Sequence, residues 1–180
     1  MKPQKPRKMT PGVFSFAAEN YINRYFASTN MLRKALERRA YRFIRKHGGT
    51  MEEARPLIDA EVQKRIESGA VNDRFFADTM TAELIKKGTS LLKIKQKLYQ
   101  KGIASSLIED VLKQHQDQHD PKRSALLYAK KRGFGPYRAP HITEDRFQKE
   151  LASMVRAGHA YGISKEVLAL KREEFDEDTP

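Results

Sequence analysis

Lys93, Lys97 and Lys101 recur at every fourth position. On a helix that spacing makes one row, opposite an apolar face of Leu91, Ile94 and Leu98, with Lys95 flanking the apolar seam. A row of ammonium groups can neutralise successive phosphates or the acidic side chains of a partner, and its grip weakens steeply with salt. The same row also reads as the solvated face that any amphipathic helix carries. A second set is Arg33, Arg38, Arg39, Arg42 and Arg45, and a third is Lys130, Lys131, Arg132 and Arg138. Guanidinium forks suit phosphate and carboxylate. Tyr128, Phe134 and Tyr137 stand beside the third set. They can stack on bases, or they pack their loop onto the helices, the more ordinary fate of large rings.

Other constellations point away from catalysis. His115 and His119 are four apart, but a third metal ligand would have to come from Asp117 or Asp120, and no spacing demands one. Gly48-Gly49-Thr50 and Lys87-Gly88-Thr89 lack the order of a nucleotide-phosphate loop. No nucleophile-elbow spacing occurs. Glu52-Glu53 and Glu173-Glu174 fall on expected surfaces. The expectation is a protein that is not an enzyme, with no cofactor and no metal.

The bulk properties agree with a binding role. The 180 residues carry a formal net charge of +12, a surplus that favours polyanionic partners: nucleic acid, a nucleoprotein or an acidic protein face. Cysteine is absent, which excludes disulfides and thiol chemistry and fits a reducing cytoplasm. No apolar run approaches the roughly 18 residues that a membrane span needs. The basic start, Met1 to Lys8, is not followed by the apolar stretch of a signal peptide. Nothing suggests an obligate dimer, so a monomer is expected.

Elements that would position the basic sets follow from periodicity. Residues 1–12 read as a disordered basic tail. Phe14, Ala17, Ala18, Tyr21, Ile22, Tyr25 and Phe26 make one helical face ending near Ser28. Leu32, Leu36, Ala40, Phe43 and Ile44 make a second, closed by Gly48-Gly49. Thr50 caps a third through Met51, Ala54, Leu57 or Ile58, Val62 and Ile66, which either starts near Pro56 or kinks there. Between Val71 and Leu112 lie three short helices: Phe76, Met80 and Leu84, with Ala77 beside them; Leu91, Ile94 and Leu98; Leu107, Val111 and Leu112, with Ile108. Asn72 and either Ser90 or Thr89 stand at N-cap positions, and Gly88 and Gly102 at C′ positions. Asp120-Pro121 opens a helix through Ala125, Leu126 and Ala129. Two prolines mark a loop over 134–142, and Thr143 begins a helix through Leu151, Met154 and Val155. A last helix carries Ile163, Val167 and Leu168, ahead of an acidic tail.

A repeat is also present. The segment 102–112 matches 158–168 in its glycine, alanine, branched apolar residue, acid and Val-Leu, at an offset of 56 residues. The expected fold is therefore all-α: three tandem three-helix repeats at 13–70, 71–117 and 118–172, with an acidic tail at 173–180. Stacked modules of this size bury faces that none buries alone, giving an elongated, curved, solenoid-like body.

Several segments carry a likeness to a known family. Val71-Asn72-Asp73-Arg74-Phe75-Phe76-Ala77, Lys87-Gly88, and the stretch from Ile94 to Ile103 with Leu98, Lys101 and Gly102 resemble the RecX family of bacterial regulators. Ala125 to Arg138 is similar to the alphaproteobacterial branch, and Arg156-Ala157-Gly158 with Tyr161 matches that family's final repeat. The resemblance spans roughly residues 20–170. It implies a curved row of three-helix repeats that lies in the groove of the RecA filament on single-stranded DNA. It also implies restraint of strand exchange, ATP hydrolysis and co-protease activity in DNA repair and the SOS response. Filament or DNA contact then falls to Lys93, Lys95, Lys97, Lys101, Arg33, Arg38, Arg39, Arg42, Lys130, Lys131, Arg132 and Arg138. Two departures stand out: Asn72 where the family commonly has Asp, and His159 where it commonly has an aromatic ring. The residues alone leave two further readings open: a helical nucleic-acid binder acting without RecA, and an interaction scaffold whose charge serves only solubility.

Overall fold

A computed structural model describes residues 8–139 and 146–170. Those residues form nine α-helices, two short 3-10 turns and no strand. The helices are α1 (Pro11–Ile22), α2 (Thr29–His47), α3 (Met51–Glu67), α4 (Asp73–Lys86), α5 (Leu91–Gln100), α6 (Ser105–Gln114), α7 (Pro121–Arg132), α8 (Phe147–Arg156) and α9 (Tyr161–Ala169). The expected all-α class is what the chain adopts. Its packing divides it into two compact units. One holds residues up to Phe76 together with Lys101–Ala104; the other holds Ala77–Gln100 and the chain from Ser105 onward.

In the first unit, α1, α2 and α3 converge on one core. Phe14 and Ala18, Leu32, Leu36 and Ala40, and Ala54, Ile58 and Val62 each recur at four-residue spacing, so each helix presents one continuous apolar stripe. Burying a leucine or phenylalanine side chain contributes about 1.5–3 kcal/mol. Three such stripes meeting give the unit its stability. The ends of α2 and α3 are set by side chains. Ser28 Oγ accepts a hydrogen bond from Met31 N at 3.2 Å. Thr50 and Glu53 form a reciprocal capping box, Glu53 N to Thr50 Oγ1 at 3.3 Å and Thr50 N to Glu53 Oε2 at 3.2 Å.

Besides the start of α1 at Pro11, inside the segment 1–12 expected to be a disordered tail, two boundaries differ from the sequence expectation. First, α1 stops at Ile22, so Tyr25 and Phe26 are not on its face. Ser28 needs extended backbone to cap α2, and the residues before it leave the helix to supply it. Phe26 instead packs its ring on Phe75 and Phe76, at centroid distances of 5.7 and 5.0 Å. Second, α3 does not start near Pro56: it begins at Met51, behind the capping box, and runs through Pro56. The Thr50 cap anchors the first turn firmly enough to carry the missing N–H. Ile66, at the last turn, is exposed rather than buried.

In the second unit, α7, α8 and α9 share a core of Ala125, Ala129, Leu151, Met154, Val167 and Leu168. Asp120 caps α7, its Oδ1 accepting from Lys122 N at 2.8 Å and Arg123 N at 3.2 Å, and Pro121 takes the first helical position. Ile94 and Leu98 of α5 and Ile108 and Val111 of α6 are also buried. On α4, Phe76, Ala77 and Thr81 are buried, whereas Met80 and Leu84 are half-buried. The expected stripe holds at Phe76 and Ala77, and Thr81, four residues after Ala77, takes the inward place expected of Met80. The expected helix start at Thr143 and the acidic tail fall outside the described residues.

One joint occurs twice. Ser28 Oγ, while capping α2, donates to the carbonyl of Lys101 at 2.7 Å. Ser90 Oγ accepts from Lys93 N at 3.3 Å, capping α5, and donates to the carbonyl of Ala157 at 2.7 Å. The next residue in each case is a glycine with positive φ, Gly102 at +80° and Gly158 at +89°. A Cβ there would lie 2.1 Å from Asn30 Nδ2 and 2.5 Å from Ser90 Oγ respectively. Only glycine admits both the backbone and the approach.

Candidate polyanion-binding grooves

The second unit carries a groove of about 570 Å³. Four helices supply its walls, and their spacing explains why. Lys93 and Lys97 lie one turn apart on α5. Lys131 and Arg132 follow Tyr128 by three and four residues on α7, and Arg156 follows Ser153 by three on α8. Lys87 closes the rim beyond α4. No carboxylate lines it among the described residues. Six cations around one cavity repel one another, and an anion placed among them would relieve that repulsion.

The same geometry makes the Tyr128 ring a structural element. Arg132 lies 5.6 Å over it, the His159 centroid is 5.1 Å away, Phe134 is 6.3 Å away, and its hydroxyl shares a 3.3 Å hydrogen bond with Ser153. Phe134 and Tyr137 pack against the core of this unit, so the stacking alternative gives way to packing for both. Burial accordingly raises the Tyr137 hydroxyl above its usual pKa.

The remaining basic residues are placed apart. Lys95 points to α6 and pairs with Glu109 at 3.5 Å. Lys101 lies past the end of α5, within the first unit, so the helical lysine row stops at Lys97. Lys130 is exposed on α7 but is not a groove residue. Arg138 is engaged by Glu150, Nε to Oε1 at 3.0 Å and Nη2 to Oε2 at 2.8 Å. Glu150 is 4% exposed and also accepts from Gly135 N at 2.9 Å. That buried carboxylate fixes the turn after α7, and its charge is what holds Arg138. Lys87 and Arg156 belong to no row of basic residues at helical spacing; the fold brings them to the lysines of α5.

In the first unit, Arg33 pairs with Asp59 of α3. Arg38, Arg39 and Arg42 line a separate cleft of 580 Å³ between α1 and α2, joined there by Arg24. Arg45 lies one turn beyond Arg42, beside Tyr41 and Ile44.

The two resemblance departures have local roles. Asn72 caps α4, accepting from Phe75 N at 2.9 Å, while the acid beside it, Asp73, accepts from Thr29 N at 2.7 Å. His159 fills a buried position with its ring against Tyr128. Its Nε2, like that of His119, has no hydrogen-bond partner among the described residues. Burial, and then the neighbouring His119, hold the His159 pKa below its usual value; burial outweighs Asp120 to do the same for His119. His115 sits 3.5 Å from Asp78 Oδ1, and among the described residues no three metal-ligating side chains converge. No described helix is long and apolar enough to cross a membrane.

Short helices joined by serine–glycine contacts, with basic side chains gathered in grooves, define the class as an all-helical protein with concentrated positive charge. Comparison with known proteins narrows this. A family model for the second three-helix domain of RecX matches residues 72–112. The chain is 33% identical over 167 residues to the regulatory protein RecX of Myxococcus xanthus, covering 92% of this chain and 89% of that relative. It is 31% identical over 108 residues to the regulatory protein RecX of Agrobacterium fabrum, covering 60% and 56%. No solved structure matches it. The chain belongs to the RecX family.

Proposed function

We propose that this chain is a regulator that binds the RecA filament on single-stranded DNA and restrains its recombinase, ATPase and co-protease activities without catalysing a reaction itself. The observation that carries the reading is the carboxylate-free groove lined by Lys87, Lys93, Lys97, Lys131, Arg132 and Arg156. Family membership supports the regulatory role. Charge of this density suits a surface that repeats along a polymer, where one molecule spans neighbouring anionic patches. The doubled serine–glycine joint supports grouping the helices into the three modules 13–70, 71–117 and 118–172. Each joint links the start of one module's middle helix to the end of the next module's middle helix.

The test is ATP hydrolysis and strand exchange by RecA on single-stranded DNA with this protein titrated in. The expected result is progressive inhibition that weakens as salt is raised. Unchanged rates at saturating protein would remove the proposal.

A further inference from the structure

The cleft of the first unit has a chemistry that the lysine groove lacks. Its α1 wall carries Phe16 and Tyr21, with Arg24 and Tyr25 just past the helix end; its α2 wall carries Arg38, Arg39 and Arg42. Ala17 and Ala35 line it too, and such small side chains leave it depth. Phe16 is 69% exposed and Tyr25 is 55% exposed. Tyr25 rests on the Tyr21 ring at a centroid distance of 5.0 Å, and together with Phe16 it still leaves large aromatic surface in water beside arginines, an unusual use of apolar surface. None of the four arginines has an ion-pair partner among the described residues, and no carboxylate lines the cleft. Its volume falls within the roughly 300–1,000 Å³ of small-ligand clefts.

We propose that this cleft is a second binding site, for unpaired nucleotides. Bases stack on Phe16 and Tyr25, and the backbone phosphates between them lie against Arg38, Arg39 and Arg42. The pairing of ring and guanidinium selects this ligand. Arginine forks fit phosphate oxygens in two-point fashion. Exposed rings gain from a π-face that an unpaired base offers and a duplex hides within its own stack. In the lysine groove the single ring, Tyr128, is already covered by Arg132, His159 and Phe134, so that site reads charge alone. The proposal goes beyond filament regulation: the contact needs no RecA, so it stands or falls separately.

The experiment is fluorescence anisotropy of the full chain, without RecA, with a labelled oligothymidylate of about 15 nucleotides, near the upper site size of single-strand binders. Parallel arms use an abasic strand of equal length and charge, a duplex, and polyglutamate. The base-bearing single strand binds at least about tenfold tighter than the abasic strand, the scale of one stacked base. Phe16→Ala/Tyr25→Ala abolishes that preference and leaves abasic affinity unchanged. Phe16→Leu/Tyr25→Leu, which keeps apolar bulk without π-faces, does the same if the alanine pair loses helical content. Arg38→Gln/Arg39→Gln/Arg42→Gln weakens both strands and lowers the salt slope by about 2, three phosphates at roughly 0.7 each. Equal binding of base-bearing and abasic strands overturns the proposal, as does an unchanged preference in the ring variants. Polyglutamate binding as tightly as the oligonucleotide overturns it in favour of an acidic protein partner.

Discussion

Replacing Ser90 with alanine tests the joint that holds α5 to the end of α8. The hydroxyl makes two bonds at once and is 4% exposed, so water cannot substitute for either. Losing the bond from Lys93 N removes an N-cap, worth about 1 kcal/mol. Losing the bond to Ala157 leaves a carbonyl without its partner, at about 1–3 kcal/mol. The two share one donor–acceptor atom, so a combined cost of about 2–3 kcal/mol is expected rather than the larger sum. For a chain of this length that lowers the thermal midpoint of the second unit by about 4–12 °C. Thermal and urea unfolding followed by circular dichroism measure it, with amide exchange at Lys93 reporting the cap directly. Ser68→Ala is the control, because its hydroxyl bonds Arg65 O at an exposed site and should shift stability by less than about 0.5 kcal/mol. Ser28→Ala, in the equivalent joint, should match Ser90→Ala to within about 1 kcal/mol. A Ser90→Ala change no larger than the Ser68→Ala control would refute the reasoning.

Glu150→Ala removes both bonds to Arg138 and the one to Gly135 N, and breaking such a buried pair costs about 3–5 kcal/mol, measurable as a lower urea midpoint. His119 and His159 have folded pKa values below the unfolded 6.5, so the unfolded chain binds protons first as pH falls. Their contribution is complete above about pH 7 and declines as pH drops below 6.5; urea midpoints should fall from pH 7 to pH 5, and His159→Phe should flatten that decline. Gly158→Ala adds a Cβ 2.5 Å from Ser90 Oγ at a positive φ, costing about 1–2 kcal/mol from the backbone alone before any clash, as thermal melts would show.

Much of this fold was legible because helical stripes repeat at three and four residues. Asn72, Ser90, Thr50 and Asp120 are caps as their types suggest, and Gly88, Gly102, Gly133 and Gly158 take positive φ. The end of α1 was not legible, because Tyr25 and Phe26 continue the apolar pattern while the cap at Ser28 ends the helix. Pattern also cannot tell which cations are free. Lys93, Lys97 and Arg138 look alike in sequence, yet Glu150 claims Arg138 from twelve residues away. The groove was half visible: α5 and α7 announce themselves through runs of charge, whereas Lys87 and Arg156 join only through tertiary packing. The arginines of α2 were visible, but not the exposed rings of Phe16 and Tyr25 beside them.

The most direct measurement is the half-inhibitory concentration of this protein against RecA-filament ATP hydrolysis, compared with Lys93→Glu/Lys97→Glu/Lys131→Glu/Arg156→Glu. Each reversal places an acid where the groove now presents a cation, and like charges across a contact cost several kcal/mol. The expected result is inhibition by the parent and a rise of at least about a hundredfold in the concentration the folded variant requires, near 2.7 kcal/mol. Equal inhibition by parent and variant, with circular dichroism unchanged, would contradict the account.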